Sequence, residues 1–195
     1  MSGIDTSTLR RAGDPLALGT RSLAVKVAAV VAGTAVLALS SQVEVPMVPV
    51  PMTMQTLAVT LVGALYGWRL GAITVMGWLM EAMIGLPVLA GGAAGFAHFA
   101  GPTAGYLWVF PVVAALVGWL AERGWSGSNV VRSFLAAAMG NALCLVVGGA
   151  YLASMIGFEQ ALAAGVTPFI VGAILKSGLH AAALKGIDTV QARRS

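Results

Sequence analysis

LVGALYGWRLGAITVMG, residues 61–77, carries a single charge, that of Arg69. Apolar runs extend from this stretch in both directions, over residues 53–67 and 70–86. The short segment YGWRLG joins the two runs. We interpret it as a tight turn between two membrane segments, with Arg69 on the cytoplasmic side. Both runs are short for a full crossing, so we expect one or both to be tilted, kinked or partly buried in protein.

The composition of the whole chain resembles that of this stretch. Of its 195 residues, 58% are hydrophobic and 9% are charged, and the mean hydropathy is +0.90. An ordinary soluble domain has about 25% charged residues, so this much apolar surface requires lipid as its solvent. Strict two-residue alternation, which is typical of membrane β-barrels, is absent. We therefore predict an all-α membrane protein that crosses the bilayer several times.

Charges, glycines and prolines divide the chain into six predicted transmembrane helices. These cover residues 22–43, 53–67, 70–86, 103–121, 132–157 and 166–186. Together they form one transmembrane domain over residues 22–186. The segment 1–21 and the tail 187–195 are predicted to be cytoplasmic, and the polar start of the chain does not resemble a cleaved signal peptide.

The basic residues predict the orientation. With both termini in the cytoplasm, ten of the eleven Lys and Arg residues fall on the cytoplasmic side. The three outer loops, 44–52, 87–102 and 158–165, contain neither Lys nor Arg. This asymmetry follows the positive-inside rule. The eleventh basic residue, Lys176, lies inside the sixth span.

Sequence signatures of catalysis and metal binding are missing. The chain has no GxxxxGK[ST] phosphate loop, no HExxH, no CxxC and no GxSxG. Its one cysteine, Cys144, excludes a disulfide, and His98 and His180 have no carboxylates at metal-ligand spacing. We predict no catalytic residue, no metal and no cofactor. The net charge of +4 is interpreted as loop charge rather than as a nucleic-acid surface.

Lys176 is the leading candidate for a functional group inside the membrane. It lies about ten residues from each end of its span, near the midplane, where a charge is costly and marks a functional site by default. The alternative is a structural lysine paired with a carboxylate, and Glu81 in the third span is the available partner. Asn141 in the fifth span is a weaker candidate, because a single Asn often only joins two helices.

Aromatic and small residues suggest a pocket and a docking face. Tyr106 and Tyr151 could line a pocket, although aromatic belts at the membrane interface explain most such residues. In the first span, Ala24, Ala28 and Ala32 recur at four-residue spacing, which lets another helix approach closely. Chance recurrence in an alanine-rich chain is the alternative.

The outer loop 87–102 is long, rich in glycine and nearly uncharged. Glycines such as Gly91 and Gly92 permit backbone conformations that are closed to other residues. Long loops of this kind are usually lids or binding loops, or else disordered, and the apolar content argues against disorder. We predict a lid that folds over the outer mouth of the bundle.

Five stretches, in their order and spacing, resemble one known family. They are PVPMTMQTLAV, GWRLGAITV, IGLPVLAGGAAG, GPTAGYLWVFP and GVTPFIVGAILK, and the match runs from about residue 45 to 185. They resemble the BioY family, the biotin-specific substrate-binding (S) components of energy-coupling factor (ECF) transporters. The resemblance implies an ECF S-component-like bundle of six helices in the bacterial cell (inner) membrane, which captures biotin at the outer face.

The resemblance also implies partners. The alanine face of the first span would meet a transmembrane coupling subunit of the ECF transporter, and ATP hydrolysis would belong to partner ATPases. Without such a module, the chain would work as a homo-oligomer. Membrane lipid is the remaining expected partner.

The polar residues after the prolines are implied to lie at the rim of a biotin cavity. The prolines at positions 46, 49 and 51 would hold an extended outer loop, beside which Thr53, Gln55 and Thr56 offer hydrogen bonds. Capping of a helix N-terminus by Thr53 is the alternative. Lys176 would contact the carboxylate of biotin.

Two positions depart from the family pattern. The family usually has an aspartate three residues before the lysine, where this chain has Ala173, and often a tryptophan where it has Tyr151. We hypothesise that Glu81 supplies the missing carboxylate. Two other functions stay open: an S component for another small vitamin, and a non-transporting membrane scaffold.

Overall fold

The computed structural model describes residues 16, 18 and 21–193, and it is predominantly helical. Within these residues, five helical runs are long and apolar enough to cross a membrane. They are Leu23–Ser41 (α1), Gln55–Met83 (α2), Ala104–Ala121 (α3), Val130–Ile156 (α4) and Phe158–Ala192. The last run comprises Phe158–Ala161 (α5), the π-helical turn Leu162–Val166 and Thr167–Ala192 (α6). The predicted cytoplasmic segment 1–21 lies almost wholly outside the described residues.

The second and third predicted spans form one element, α2, which reverses direction at Gly67. Gly67 has φ +78° and ψ 170°, a conformation that favours glycine. A Cβ on Gly71 would lie 2.9 Å from Gly63 Cα, whereas eight residues of a straight helix would separate the two by about 12 Å. The tight turn predicted at YGWRLG is therefore present, but it is made without a loop. For this reason five long helices replace the six predicted segments.

Helix α3 packs closely against both arms of α2 because glycines lie at the contacts. A Cβ on Gly118 would lie 2.6 Å from the backbone nitrogen of Trp68. A Cβ on Gly63 would meet the backbone of Ala114. Two helices can approach this closely only where one of them lacks a side chain. The turn of α2 is thereby fixed against the end of α3, where Glu122 Oε1 also accepts from Trp68 N at 3.2 Å.

The proline-containing outer loop is a short hairpin rather than a wholly extended segment. Strand β1, Glu44–Val45, pairs antiparallel with β2, Met52–Thr53, in the register Glu44 to Thr53 and Val45 to Met52. The prolines lie between the paired residues, where their missing N–H groups leave no ladder bond unmade. The hairpin leads directly into the start of α2.

The third predicted outer loop, 158–165, is helical rather than irregular. Gly157, with φ +88°, ends α4, and α5 starts at the next residue. Pro168 lies in the first turn of α6, where a helix does not need a backbone donor. The helical run therefore continues through this segment into the helix that carries Lys176.

Candidate functional site

A cavity of about 370 Å³ lies beneath the hairpin and the 87–102 segment, between the start of α2 and helices α3, α4 and α6. Its volume is within the range of about 300–1,000 Å³ that is typical of small-molecule pockets. Most of its wall is apolar, with Leu107, Phe110 and Phe169 among the lining residues. The polar side chains of the lining belong to Thr53, Gln55, Thr56, His98, Thr103, Tyr106, Asn141 and Lys176.

Lys176 is buried and points into this cavity. Its side chain is 8% exposed, and its Nζ donates to the backbone oxygen of Thr53 at 3.0 Å. The alternative ion pair with Glu81 does not form: no carboxylate contacts Lys176 within the described part of the chain, and Glu81 is absent from the cavity lining. An ammonium group has three hydrogens, so two remain for a bound molecule.

Gln55 is held at the junction of the hairpin and α2. Its backbone nitrogen donates to Thr53 Oγ1 at 3.3 Å. Thr53 therefore contacts the first turn of α2, as the capping alternative supposed, although Met54 occupies the N-cap position. The side-chain Nε2 of Gln55 donates to Ser41 Oγ, in α1, at 3.0 Å. Gln55 thus joins α1, β2 and α2 at the cavity wall.

Asn141 lies in α4, facing α6. Its Nδ2 donates to Ala137 O and to Ser177 Oγ, both at 3.1 Å. Ser177 is the residue after Lys176, so this contact brings Asn141 beside the lysine. Thr53, Gln55, Asn141 and Lys176 together form what we call the polar end of the cavity.

The two tyrosines have different positions. Tyr106 lines the cavity, and its hydroxyl donates to Gly165 O, in the π-helical turn, at 2.7 Å. Tyr151 does not line the cavity; its hydroxyl donates to Ala100 O at 3.3 Å. Tyr151 therefore contacts the end of the 87–102 segment rather than the cavity itself.

The 87–102 segment covers the cavity as two 3₁₀ turns, Ala90–Gly92 and Phe96–Phe99. Gly91 and Gly92 have positive φ and form the first turn, but neither lines the cavity. The lining residues of this segment include Ala93, Ala97 and the exposed His98. This cover, with its lining residues, defines the lid side of the cavity.

The lid is attached to the bundle at both of its ends. Trp78 Nε1 donates to Val88 O at 3.1 Å, and Trp108 Nε1 donates to Phe99 O at 3.1 Å. Near its middle, Gly95 N donates to Ala82 O at 2.8 Å. Since these bonds join backbone groups of the lid to α2 and α3, the lid is an ordered part of the fold.

Ala24, Ala28 and Ala32 are all exposed on α1. The buried residues of α1 are Gly33, Thr34, Leu37 and Ser41, which a helical period of 3.6 residues places on the opposite side. The alanine face is therefore not used for packing among the residues that the structure describes. It is open to lipid or to a partner.

Two residues that hold the polar end were missed from the sequence, Ser41 and Ser177. Each contacts an amide that is distant in the chain, 14 residues away for Ser41 and 36 for Ser177. A usable signal was present for Ser177, which follows the intramembrane lysine directly. Ser41 ends an apolar span, where a serine is unremarkable, so nothing local distinguished it.

Comparison with known proteins places the chain in a family. The family model described as the BioY family matches residues 11–193. The chain belongs to the BioY family. This assignment covers all the helices and every residue of the polar end.

Named relatives of this BioY family member come from archaea and bacteria. A Pyrococcus horikoshii protein named "Probable biotin transporter BioY" is 35% identical over 143 residues, covering 73% of this chain and 83% of the relative. A Rhizobium etli protein named "Biotin transporter BioY" is 42% identical over 151 residues, covering 72% and 79%.

A solved structure has the same fold as this BioY chain. It is the crystal structure of the S-component for biotin from an ECF-type ABC transporter, with a TM-score of 0.75 and 25% sequence identity. The alignment covers 87% of this chain and 95% of the other. The bundle is thus that of an S component, and this chain is a multi-pass membrane protein.

Proposed function

We propose that this BioY family member is the high-affinity biotin-binding subunit of a biotin uptake transporter. It captures biotin at the outer face of the membrane and delivers it inward, either with an ATP-driven coupling module or as an oligomer. The observation that carries this proposal is the lidded apolar cavity whose polar end gathers Lys176, Gln55 and Asn141. Its apolar wall suits a fused bicyclic ring and an alkyl chain. The role is binding and transport, not catalysis.

Within this function, the residues divide into two groups. Lys176, Gln55, Thr53, Asn141 and Tyr106 line the cavity and are proposed to contact the ligand. Tyr151 contacts the lid that retains the ligand, and Gly91 and Gly92 form its first turn. Glu81 is outside the lining, so we assign it no ligand contact.

The proposed topology has six membrane segments and both termini in the cytoplasm of a bacterial cell, with the chain in the inner membrane. Two observations support it. The described basic residues outside Lys176 lie near the helix ends that meet the turn of α2, the α3–α4 connection and the chain ends. The reversal at Gly67 gives α2 two arms of roughly 18 and 24 Å at 1.5 Å per residue, and two arms return the chain to the side from which it came.

Cysteine labelling tests the topology. In a Cys144→Ala background, a cysteine at the exposed Ser128, between α3 and α4, should be protected from an impermeant thiol reagent in intact cells. A cysteine at Ala94, in the lid, should react when biotin is absent. Labelling at Ser128 with protection at Ala94, after both are shown to react in denatured protein, would reverse the orientation.

The proposed partners follow from the surface of α1. The exposed face with Ala24, Ala28 and Ala32 is proposed to dock an ECF transmembrane coupling subunit, which partner ATPases drive. Helices pack closely where small residues meet, and no described part of the chain covers this face. Self-association to a homo-oligomer through the same face is the alternative, with lipid covering the remainder.

Titration of the purified protein with biotin is the direct test of function. We expect saturable binding with one site per chain. Biotin should compete more strongly than other vitamins of similar size. If another vitamin binds and biotin does not, the chain is an S component of different specificity. If nothing binds, the scaffold function replaces transport.

A further inference from the structure

Two arginine–tryptophan pairs lie at the end of the bundle where α2 reverses. The guanidinium carbon of Arg69 is 4.8 Å from the centre of the Trp68 ring, and that of Arg123 is 3.5 Å from the centre of the Trp119 ring. Such stacking holds a cation over the face of an aromatic ring. Trp68 and Trp119 are 40% and 43% exposed, so both pairs lie at the surface of the chain.

The close contact between α2 and α3 brings the two pairs together. A Cβ on Gly118, the residue before Trp119, would lie 2.6 Å from Trp68 N. Glu122, the residue before Arg123, accepts from Trp68 N through Oε1 at 3.2 Å. The four residues that we call the arginine site are Trp68, Arg69, Trp119 and Arg123.

Most of the donor groups of the two arginines are unused. A guanidinium group has five N–H donors, and the Arg123 group donates through Nη1 to Trp119 O at 3.3 Å. Within the described residues, no carboxylate forms an ion pair with Arg69 or Arg123. The carboxylate of Glu122 lies against the turn of α2 instead, since its Oε1 would be 2.6 Å from a Cβ on Gly67.

The indole N–H groups of the arginine site differ from those at the lid. Trp78 and Trp108 each donate Nε1 to a lid carbonyl. Trp68 and Trp119 donate Nε1 to no group in the part of the chain that the structure describes. A tryptophan with an apolar ring and a free N–H suits the level of the lipid headgroups, where one end of the side chain is apolar and the other is wet.

An exposed apolar face continues from each pair along its helix. Four and seven residues after Arg69, Ile73 and Met76 are 51% and 45% exposed. Seven residues before Trp119, Val112 is 55% exposed. Residues at these spacings share one face of a helix. Each face therefore has cationic and N–H donors at one end and an apolar length beyond them, which matches the headgroup and acyl chains of a phospholipid.

We propose that the arginine site binds the headgroup phosphate of an anionic phospholipid, whose acyl chains lie along the exposed faces of α2 and α3. The guanidinium fork matches two phosphate oxygens. Two arginines without carboxylate partners favour a headgroup with net negative charge over a zwitterionic one, which carries its own cation. In the proposed topology this is the cytoplasmic leaflet, where basic residues attract anionic lipid. None of the four residues lines the cavity, so the proposal does not depend on biotin.

Titration calorimetry of the whole purified chain in a neutral detergent tests the proposal. The probes are a short-chain phosphatidylglycerol and a phosphatidylcholine with the same chains, in about 1 M salt, where the Debye length is about 3 Å and diffuse attraction is screened. Phosphatidylglycerol should bind saturably and about fivefold or more tightly than phosphatidylcholine. Equal binding of the two lipids would overturn the proposal. Inorganic phosphate should not compete; competition at similar concentration would show a site for free phosphate rather than for lipid.

Matched arginines distinguish a site from general surface charge. Arg69→Gln and Arg123→Gln should each weaken phosphatidylglycerol binding by about fivefold. Arg132→Gln is the control, because Arg132 is exposed at the start of α4 and no described ring stacks with its guanidinium group. It should stay within about twofold of wild type. Equal losses in all three variants would overturn the proposal in favour of diffuse charge.

Two further variants test the built geometry. Arg123→Lys keeps the charge but loses the planar fork, and Trp119→Leu removes the ring beneath Arg123. Each should weaken phosphatidylglycerol binding by about 2- to 5-fold. Full affinity in both would overturn the proposal that the stacked pair forms the site.

The altered side chains are exposed, so elution profiles and thermal midpoints should match those of wild type. Should a variant fail to fold, the titrations of wild type with the two lipids and with inorganic phosphate still decide the proposal. If wild type does not bind phosphatidylglycerol but Arg69→Gln reduces co-purification with a coupling subunit, the arginine site is a protein interface and the lipid proposal is wrong.

Discussion

Helices α1 and α3 are similar in sequence character but opposite in burial. Both are long and apolar enough to cross a membrane. Within an 18-residue stretch of each helix, however, 17% of α1 is buried inside the protein, against 67% of α3. Apolar composition therefore predicts that a helix lies in an apolar environment. It does not say whether a given face of the helix meets lipid or the protein interior. The two helices are distinguished by their close contacts and not by their hydropathy.

The contacts explain the difference. In α3, Gly105 and Gly118 lie against Tyr151 and the backbone at Gly63, so α3 is surrounded by other helices. In α1 the buried residues form one stripe, and Gly33 packs against Thr74 of α2. The rest of α1 is exposed or only partly buried. The interior helices thus enclose the cavity, while α1 offers a surface.

The largest effect is expected on ligand binding in the cavity that the interior helices enclose. Lys176→Ala removes a charged donor from a buried site, and such hydrogen bonds contribute about 1.5–3 kcal/mol, or roughly 10- to 150-fold in affinity. Isothermal titration should show this loss for biotin. The exposed Lys185, two and a half turns further along α6, supplies the control Lys185→Ala, which should bind normally.

The same variant decides between the two hypotheses for Lys176. If Lys176→Ala weakens biotin strongly but leaves biotin amide unchanged, the lysine contacts the carboxylate, as expected from the sequence. If it weakens neither ligand, Lys176 only fixes Thr53 O, and its role is structural.

The next effect is on stability and concerns the glycines of the interior helices. Gly118→Ala puts a methyl group 2.6 Å from the Trp68 nitrogen, and such overpacking typically costs about 1–3 kcal/mol. We expect a lower thermal midpoint in detergent. Gly178→Ala is the matched control, because no atom lies within 4 Å of its Cβ position and alanine favours a helix. An unchanged midpoint for Gly118→Ala would mean that α3 and the turn of α2 are packed less closely than described.

The sequence predicted the parts of this fold that depend on local chemistry. Arg69 with its flanking glycines predicted the turn in α2, and the depth of Lys176 in its span made it a candidate for the site. Both follow from the cost of placing charge or reversing a chain in lipid. The two short runs were correctly separated by a turn, but the absence of a loop depends on the close approach of Gly63 and Gly71, which a local pattern does not contain.

The parts that the sequence did not predict depend on contacts between distant residues. Pairing of Glu81 with Lys176 was considered as an alternative because no other intramembrane carboxylate was available, whereas the ammonium group donates to a backbone oxygen of β2. A carbonyl has no sequence signature. Tyr151 was placed in the pocket by residue type, and its contact with Ala100 depends on where the lid crosses α4.

A smaller effect is expected at the lid. Tyr151→Phe removes the hydroxyl that donates to Ala100 O, and a single hydrogen bond of this kind contributes about 0.5–1.5 kcal/mol. Hydrogen exchange in residues 96–101 should therefore become roughly 2- to 10-fold faster, and biotin should slow it in wild type. Tyr66→Phe, remote from the lid, is the control. Lid exchange that responds to neither Tyr151→Phe nor biotin would argue against a retaining lid.

The smallest effect on the isolated chain is expected on the alanine face of α1. Ala28 is exposed, so Ala28→Leu should change stability by no more than about 0.5 kcal/mol and should leave biotin affinity unchanged. Assembly is the sensitive measurement, because a leucine prevents the close helix approach that small residues allow. Co-purification with a coupling subunit should fall for Ala28→Leu but not for Val27→Leu, a control at an exposed position away from this face. If Ala28→Leu instead destabilises the isolated chain as much as Gly118→Ala does, the contrast between α1 and α3 is wrong; if co-purification is unchanged, the partner docks elsewhere.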